Sequence, residues 1–126
     1  MNSKLYLALA GAVAIAYGII FVLFPTQAIA LYGVTGQPNA ALNIQFFGSA
    51  LLAWGVISWS ARNQDWAAVR GVLIGHVVGQ VVGLLVNIWG MMQGLLNPLA
   101  WTTNIAYGLL LFGALYCLAA APRKPA

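Results

Sequence analysis

Four stretches of this chain, about residues 5–24, 40–61, 66–93 and 98–120, stay apolar for the length of a membrane crossing. Each supplies the ~20 residues that an α-helix needs to cross ~30 Å of hydrocarbon. Backbone inside hydrocarbon has no water to bond, so it must close its hydrogen bonds internally, and a helix does so within one segment. The expected fold is therefore all-α: a single domain over residues 1–126, built as an integral membrane bundle of four transmembrane helices. Composition removes the soluble alternative. A water-soluble domain carries charge on roughly a quarter of its residues, whereas only 5% of this chain is charged and 63% is hydrophobic.

The first stretch resembles a secretory leader, with Lys4 ahead of it and Ala28-Ile29-Ala30 in the style of a cleavage site. Its apolar run exceeds the ~7–15 residues of such leaders, so a retained helix is expected. Pro25-Thr26 ends that helix. The uncharged connection over 25–39 contains Gly33, Gly36 and Pro38, and Ala28 to Tyr32 is apolar enough to form a short interfacial helix. Arg62-Asn63-Gln64-Asp65 is a polar turn, with Asp65 placed to cap the third helix. Asn97-Pro98 reads as N-cap and first position of the fourth, joined to the third by a tight hairpin.

The cations fall on one side of this pattern. Lys4 precedes the first helix, Arg62 and Arg70 flank the polar turn, and Arg123 and Lys124 follow the last helix; the two opposite connections carry none. The positive-inside rule then places both termini in the cytoplasm, N-in and C-in. Five scattered cations are not a basic stripe, so nucleic acid is not expected as a partner. The expected partners are the lipid bilayer and other membrane helices.

Small residues organise the segments. Each contains an aromatic–glycine step: Tyr17-Gly18, Trp54-Gly55, Trp89-Gly90 and Tyr107-Gly108. The step reads either as a trace of hairpin duplication or as ordinary membrane-helix composition. Gly11 with Gly18, Gly48 with Gly55 and Gly83 with Gly90 stand seven apart, nearly on one helix face. The third segment adds Gly71, Gly75 and Gly79, four apart. Lipid tails supply no hydrophobic force between helices, so close approach at such residues is expected to drive packing.

Beside these glycines, His76, Gln80 and Asn87 form a polar stripe, with Val77, Val81, Leu85, Ile88 and Met92 opposite. Polar groups in hydrocarbon are costly unless paired or facing a cavity. Candidate partners are Asn43, Gln45, Ser49, Ser58, Asn104, Tyr107, Tyr6 and Tyr17. One outcome is a set of interhelical hydrogen bonds worth ~0.6–2 kcal/mol each. The other is a polar cavity for a solute, a lipid headgroup or a quinone-like ring, formed by His76, Gln80, Asn87, Asn104 and Tyr107. As a metal or haem ligand His76 stands alone, and lone Cys117 reads as a buried structural thiol. No acid–base pair, nucleophile constellation or phosphate loop occurs, so no catalytic or metal residues, no enzyme activity and no cofactor beyond a lipid or quinone-like ligand are expected.

The "FP" closing the first helix, "GSALLAWGVISWSARN" (48–63), a His midway into the third and "GLLNPLAWTTN" (94–104) together resemble small bacterial four-helix membrane proteins of the DUF4345-like kind. The resemblance covers most of the chain. It implies a bacterial inner-membrane location and carries over no catalytic residues. The expected role is structural or accessory, as a homo-oligomer or a subunit of a larger membrane complex. The alternative is binding or transport of a small molecule, lipid or quinone-like ligand along the polar stripe.

Overall fold

The computed structural model describes residues 2–37 and 39–120 and forms from them five helices: α1 (Ser3–Leu23), α2 (Pro25–Leu31), α3 (Ala40–Ala61), α4 (Trp66–Met92) and α5 (Ala100–Ala119). α1, α3, α4 and α5 are the four apolar segments, and each is long and apolar enough to cross a membrane. α1 begins at Ser3 because Asn2 caps it, its side chain accepting from the Leu5 amide at 2.9 Å. Phe24 leaves helical geometry, and Pro25, with no N–H to lose, opens α2. The short helix expected from Ala28 therefore starts earlier, at Pro25.

Asp65 caps α4, accepting from the Ala68 amide at 3.0 Å. Asn97 does not cap α5 in the expected position. Its Oδ1 accepts from the Leu99 amide, and the amides of Ala100, Trp101 and Thr102 bond three residues back to Asn97, Pro98 and Leu99. These tight turns delay the α-helix until Ala100.

α2 and α4 end alike. Gly33 and Gly94 adopt φ of +81° and +69°. The amides of Val34 and Leu95 reach back to the carbonyls of Ile29 and Gly90, and those of Gly33 and Gly94 to Ala30 and Met91. This is the Schellman arrangement, which uses glycine because a left-handed residue with a Cβ is strained. A Cβ on Gly94 would meet nothing within 4 Å, so Gly94→Ala isolates the backbone cost. We expect a loss of about 1–2 kcal/mol, read from the unfolding midpoint in mixed micelles; an unshifted midpoint would refute the motif.

The helices pair unequally. α1 packs most extensively on α3, and α4 on α5, whereas α3 touches α4 lightly. The α1–α3 contact is backbone against backbone. A Cβ on Gly11 would stand 2.9 Å from the Gly55 carbonyl oxygen, and one on Gly55 2.9 Å from that of Gly11. Gly18 and Gly48 oppose each other in the same way, at 2.9 and 3.0 Å, so the helices run antiparallel.

The two pairs join at both ends. At one end Tyr6, Leu7, Ala10, Ala61, Val69, Leu73, Ala114 and Cys117 form a buried apolar cluster drawn from all four long helices. Lys4, Arg62, Asp65 and Arg70 lie at this end. The Arg62 guanidinium sits over the Trp59 ring, 4.0 Å from its centroid, and donates to the Trp59 carbonyl. Arg123 and Lys124 lie outside the described residues. At the α2 end, Asn97 ties the turns together. Its side-chain amide donates to the Leu31 carbonyl at 2.8 Å and its backbone N–H to that of Tyr32 at 3.0 Å. Outward faces are apolar, with Phe46, Leu85, Met92, Leu109 and Phe112 exposed. So much exposed apolar surface suits lipid rather than water.

Candidate functional site

Between the two pairs lies a cavity of about 290 Å³, lined by residues of all five helices. It exists because α3 and α4 barely touch and because Ala10, Ala14 and Ala106 line it, too small to fill the gap. The other walls are mainly aromatic and aliphatic, including Phe21, Phe47, Leu51 and Trp54. Along α4 the lining runs from His76 through Gln80 to Asn87, roughly 16 Å at 1.5 Å per residue. The inner end, at His76, abuts the apolar cluster. The outer end reaches Tyr32, Leu96 and Thr103 beside the Asn97 tie. There Thr103 Oγ1 lies 3.3 Å from the Tyr32 hydroxyl.

His76 is 2% exposed and lies deep in the bundle. Its Nε2 is 2.9 Å from Ser58 Oγ, and Ser58 Oγ is 2.8 Å from the Trp54 carbonyl. The Tyr6 ring meets the imidazole edge-on, with centroids 5.4 Å apart, and the Trp54 ring lies tilted against it at 5.0 Å. One turn further along α4, Gln80 is 8% exposed. Two polar atoms here have no protein partner: His76 Nδ1 and Gln80 Oε1. An unpaired buried polar atom costs roughly 1–3 kcal/mol, so the site holds unused hydrogen-bonding capacity.

The rest of the polar stripe is spent on structure. Asn87 donates both amide hydrogens to α5, one to the Ala100 carbonyl at 3.0 Å and one to Asn104 Oδ1 at 2.8 Å. Asn104 in turn points its Nδ2 at Met91 Sδ, 3.4 Å away. These bonds fasten the α4–α5 hairpin, leaving His76 and Gln80 as the members with unpaired atoms. Of the other polar candidates, Gln45 donates to the Val22 carbonyl and Ser49 to the Phe46 carbonyl of its own helix. Tyr17 stacks edge-on with Phe21, and Tyr6 donates to the Leu110 carbonyl at 2.9 Å.

The glycines of α4 divide in the same way. A Cβ on Gly75 would lie 2.5 Å from the Trp54 ring, and one on Gly83 2.7 Å from the Tyr107 ring. Each therefore makes room for an aromatic ring that lines the cavity. Gly90 faces Leu96 at 3.3 Å, while Gly71, Gly79 and Gly108 meet no neighbour within 4 Å. The repeated aromatic–glycine step thus has no common packing role: Gly18 and Gly55 sit in the α1–α3 crossing, and Gly108 faces outward.

A more open recess beside α4, lined by Val78, Val82, Val86 and Trp89, shares Phe47, Asn87, Leu96 and Tyr107 with the cavity. Those shared residues stand between the interior and the outer flank of α4. Among the described residues no group of three or more His, Cys, Asp or Glu side chains could hold a metal ion. Trp54, Tyr32 and Asn97 are the site-forming residues that sequence reasoning missed. The Asn-Pro turn was a visible signal for Asn97; Trp54 had none, because the Ser58–His76 pairing that sets its ring beside the imidazole depends on helix packing.

Comparison with protein-family models, with curated proteins and with solved structures finds no match for this chain.

Proposed function

We propose that this is a bacterial inner-membrane protein, with both termini cytoplasmic, that binds a small, largely apolar molecule in the cavity between its helix pairs. One observation carries the reading: an apolar cavity of about 290 Å³ has on its wall two buried polar side chains, His76 and Gln80, each with an unpaired atom. Ligand sites are typically apolar clefts of ~300–1,000 Å³ with a few placed polar groups, and this one lies at the small end of that range. The wall shared with the outer recess gives such a molecule a short path from the bilayer.

The test is purification from native membranes followed by mass spectrometry of the intact assembly. The expected result is a small-molecule mass increment on the wild-type protein that is lost in Ala106→Phe, which fills the cavity. An assembly carrying only bulk phospholipid would refute the reading, as would an increment undiminished in that variant.

An accessory role in a larger assembly is the second reading. It is supported by Gly71, Gly79 and Gly108, where a Cβ would meet no neighbour within 4 Å among the described residues although a helical glycine costs about 1 kcal/mol relative to alanine. Small residues on a lipid-facing flank let another helix approach closely. The same spectrum reports stoichiometry, and a protein that is always monomeric and alone would remove this reading.

A further inference from the structure

The unpaired atoms at the inner end of the cavity are both acceptors. Ser58 has one hydroxyl proton and two close neighbours, the Trp54 carbonyl at 2.8 Å and His76 Nε2 at 2.9 Å. A carbonyl can only accept, so the Ser58 proton goes to Trp54, and the Ser58 oxygen then accepts from Nε2–H. A neutral imidazole carries a single N–H, which leaves Nδ1 as a bare lone pair. Tyr6 does not serve it, because its hydroxyl is committed to the Leu110 carbonyl. Gln80 Oε1, one turn along the same face of α4, is a second acceptor without a donor.

Resting on the ligand-binding reading above, we infer that the occupant is a hydrogen-bond donor: a small lipophile with a phenol-type or alcohol hydroxyl. It enters polar end first and gives its O–H to His76 Nδ1, with the Gln80 amide beside it. Ketones, esters, ethers and the carbonyls of an oxidised quinone offer only acceptors and leave His76 Nδ1 unpaired; the Gln80 amide, which has an NH₂ group as well as an oxygen, can serve either kind of ligand. Ser58 sets the sign of this preference without touching the ligand. It is a positioning residue that fixes which imidazole nitrogen carries the proton. The space also limits size. About 290 Å³ admits a ring with a short chain and does not enclose a whole diacyl lipid. The Trp54 ring, which lines the cavity against His76, offers an apolar face for such a ring.

The experiment compares para-butylphenol with its methyl ether, para-butylanisole, by calorimetric titration into the protein in nanodiscs, with empty nanodiscs as blank. The phenol is expected to bind about tenfold more tightly, the effect of one good hydrogen bond. In ¹⁵N spectra of the histidine-labelled protein, His76 is expected to show a protonated Nε2 and an unprotonated Nδ1. His76→Phe, which keeps a ring and removes the acceptor, is expected to shrink the preference to about threefold or less. Equal binding of the two probes would overturn the donor inference and leave the ligand-binding reading standing. Binding of neither above the blank means that the cavity holds water only and overturns both. A protonated Nδ1 would overturn the donor inference whatever the variants do.

Discussion

Gly55→Leu is expected to unfold most of the protein in mild detergent, whereas Gly79→Leu leaves it folded. At position 55 a Cβ alone would lie 2.9 Å from the Gly11 carbonyl oxygen, 2.9 Å from the Ile15 amide nitrogen and 2.6 Å from Ile15 Cγ1. The first two are main-chain atoms of a helix and cannot move aside without moving α1. Separating α1 from α3 loses the most extensive interface of the fold, and lipid offers no compensating hydrophobic gain between helices. Even modest insertions into packed interiors cost about 1–3 kcal/mol, against a total stability of about 5–15 kcal/mol. A leucine against two backbones exceeds that range. At position 79 a Cβ meets nothing within 4 Å, so the side chain extends into open space and the helix gains propensity. Tryptophan emission during titration with a denaturing detergent reads both variants. A Gly55→Leu midpoint equal to wild type would show that the crossing is not held by backbone contact.

These two glycines also show where the sequence stops being informative. Spacing marks Gly55 and Gly79 equally, since each belongs to a regular series, and only the partner helix distinguishes them. The long helices are legible because length and hydropathy are local properties of the chain. So is the Asp65 cap, a contact across three residues. The Asn97 tie is not, because its acceptor, the Leu31 carbonyl, lies on a distant connection and backbone acceptors have no residue signature. The polar stripe was visible as a stripe, and Ser58 and Asn104 stood among its candidate partners. Which member pairs with which follows from helix order, and that order assigns Asn87 to Asn104 and His76 to Ser58. The cavity is harder still to read. It results from a contact that α3 and α4 do not make, and no single residue encodes it.

The Ser58–His76 pair is expected to show strong non-additivity. Ser58→Ala leaves the His76 Nε2–H buried with no acceptor, in a protein where both side chains are almost wholly enclosed. An orphaned buried donor costs about 1–3 kcal/mol, so the unfolding midpoint in mixed micelles should fall by that amount. His76→Phe in the Ser58→Ala background removes the orphan and keeps a planar ring between Tyr6 and Trp54, whose contacts with the imidazole are ring packing at 5.4 and 5.0 Å. Replacing both partners by apolar groups of similar shape is close to neutral, so the double variant should regain most of the lost stability. Ser58→Ala also removes the bond that fixes the proton on Nε2, and Nδ1 has no protein acceptor to favour it instead, so the same spectrum that assigns the wild-type tautomer should report a mixture of the two. Stability and tautomer then change together, which a purely steric role for Ser58 does not produce. Additive losses in the two single variants would refute the coupling and, with it, the fixed proton on Nε2.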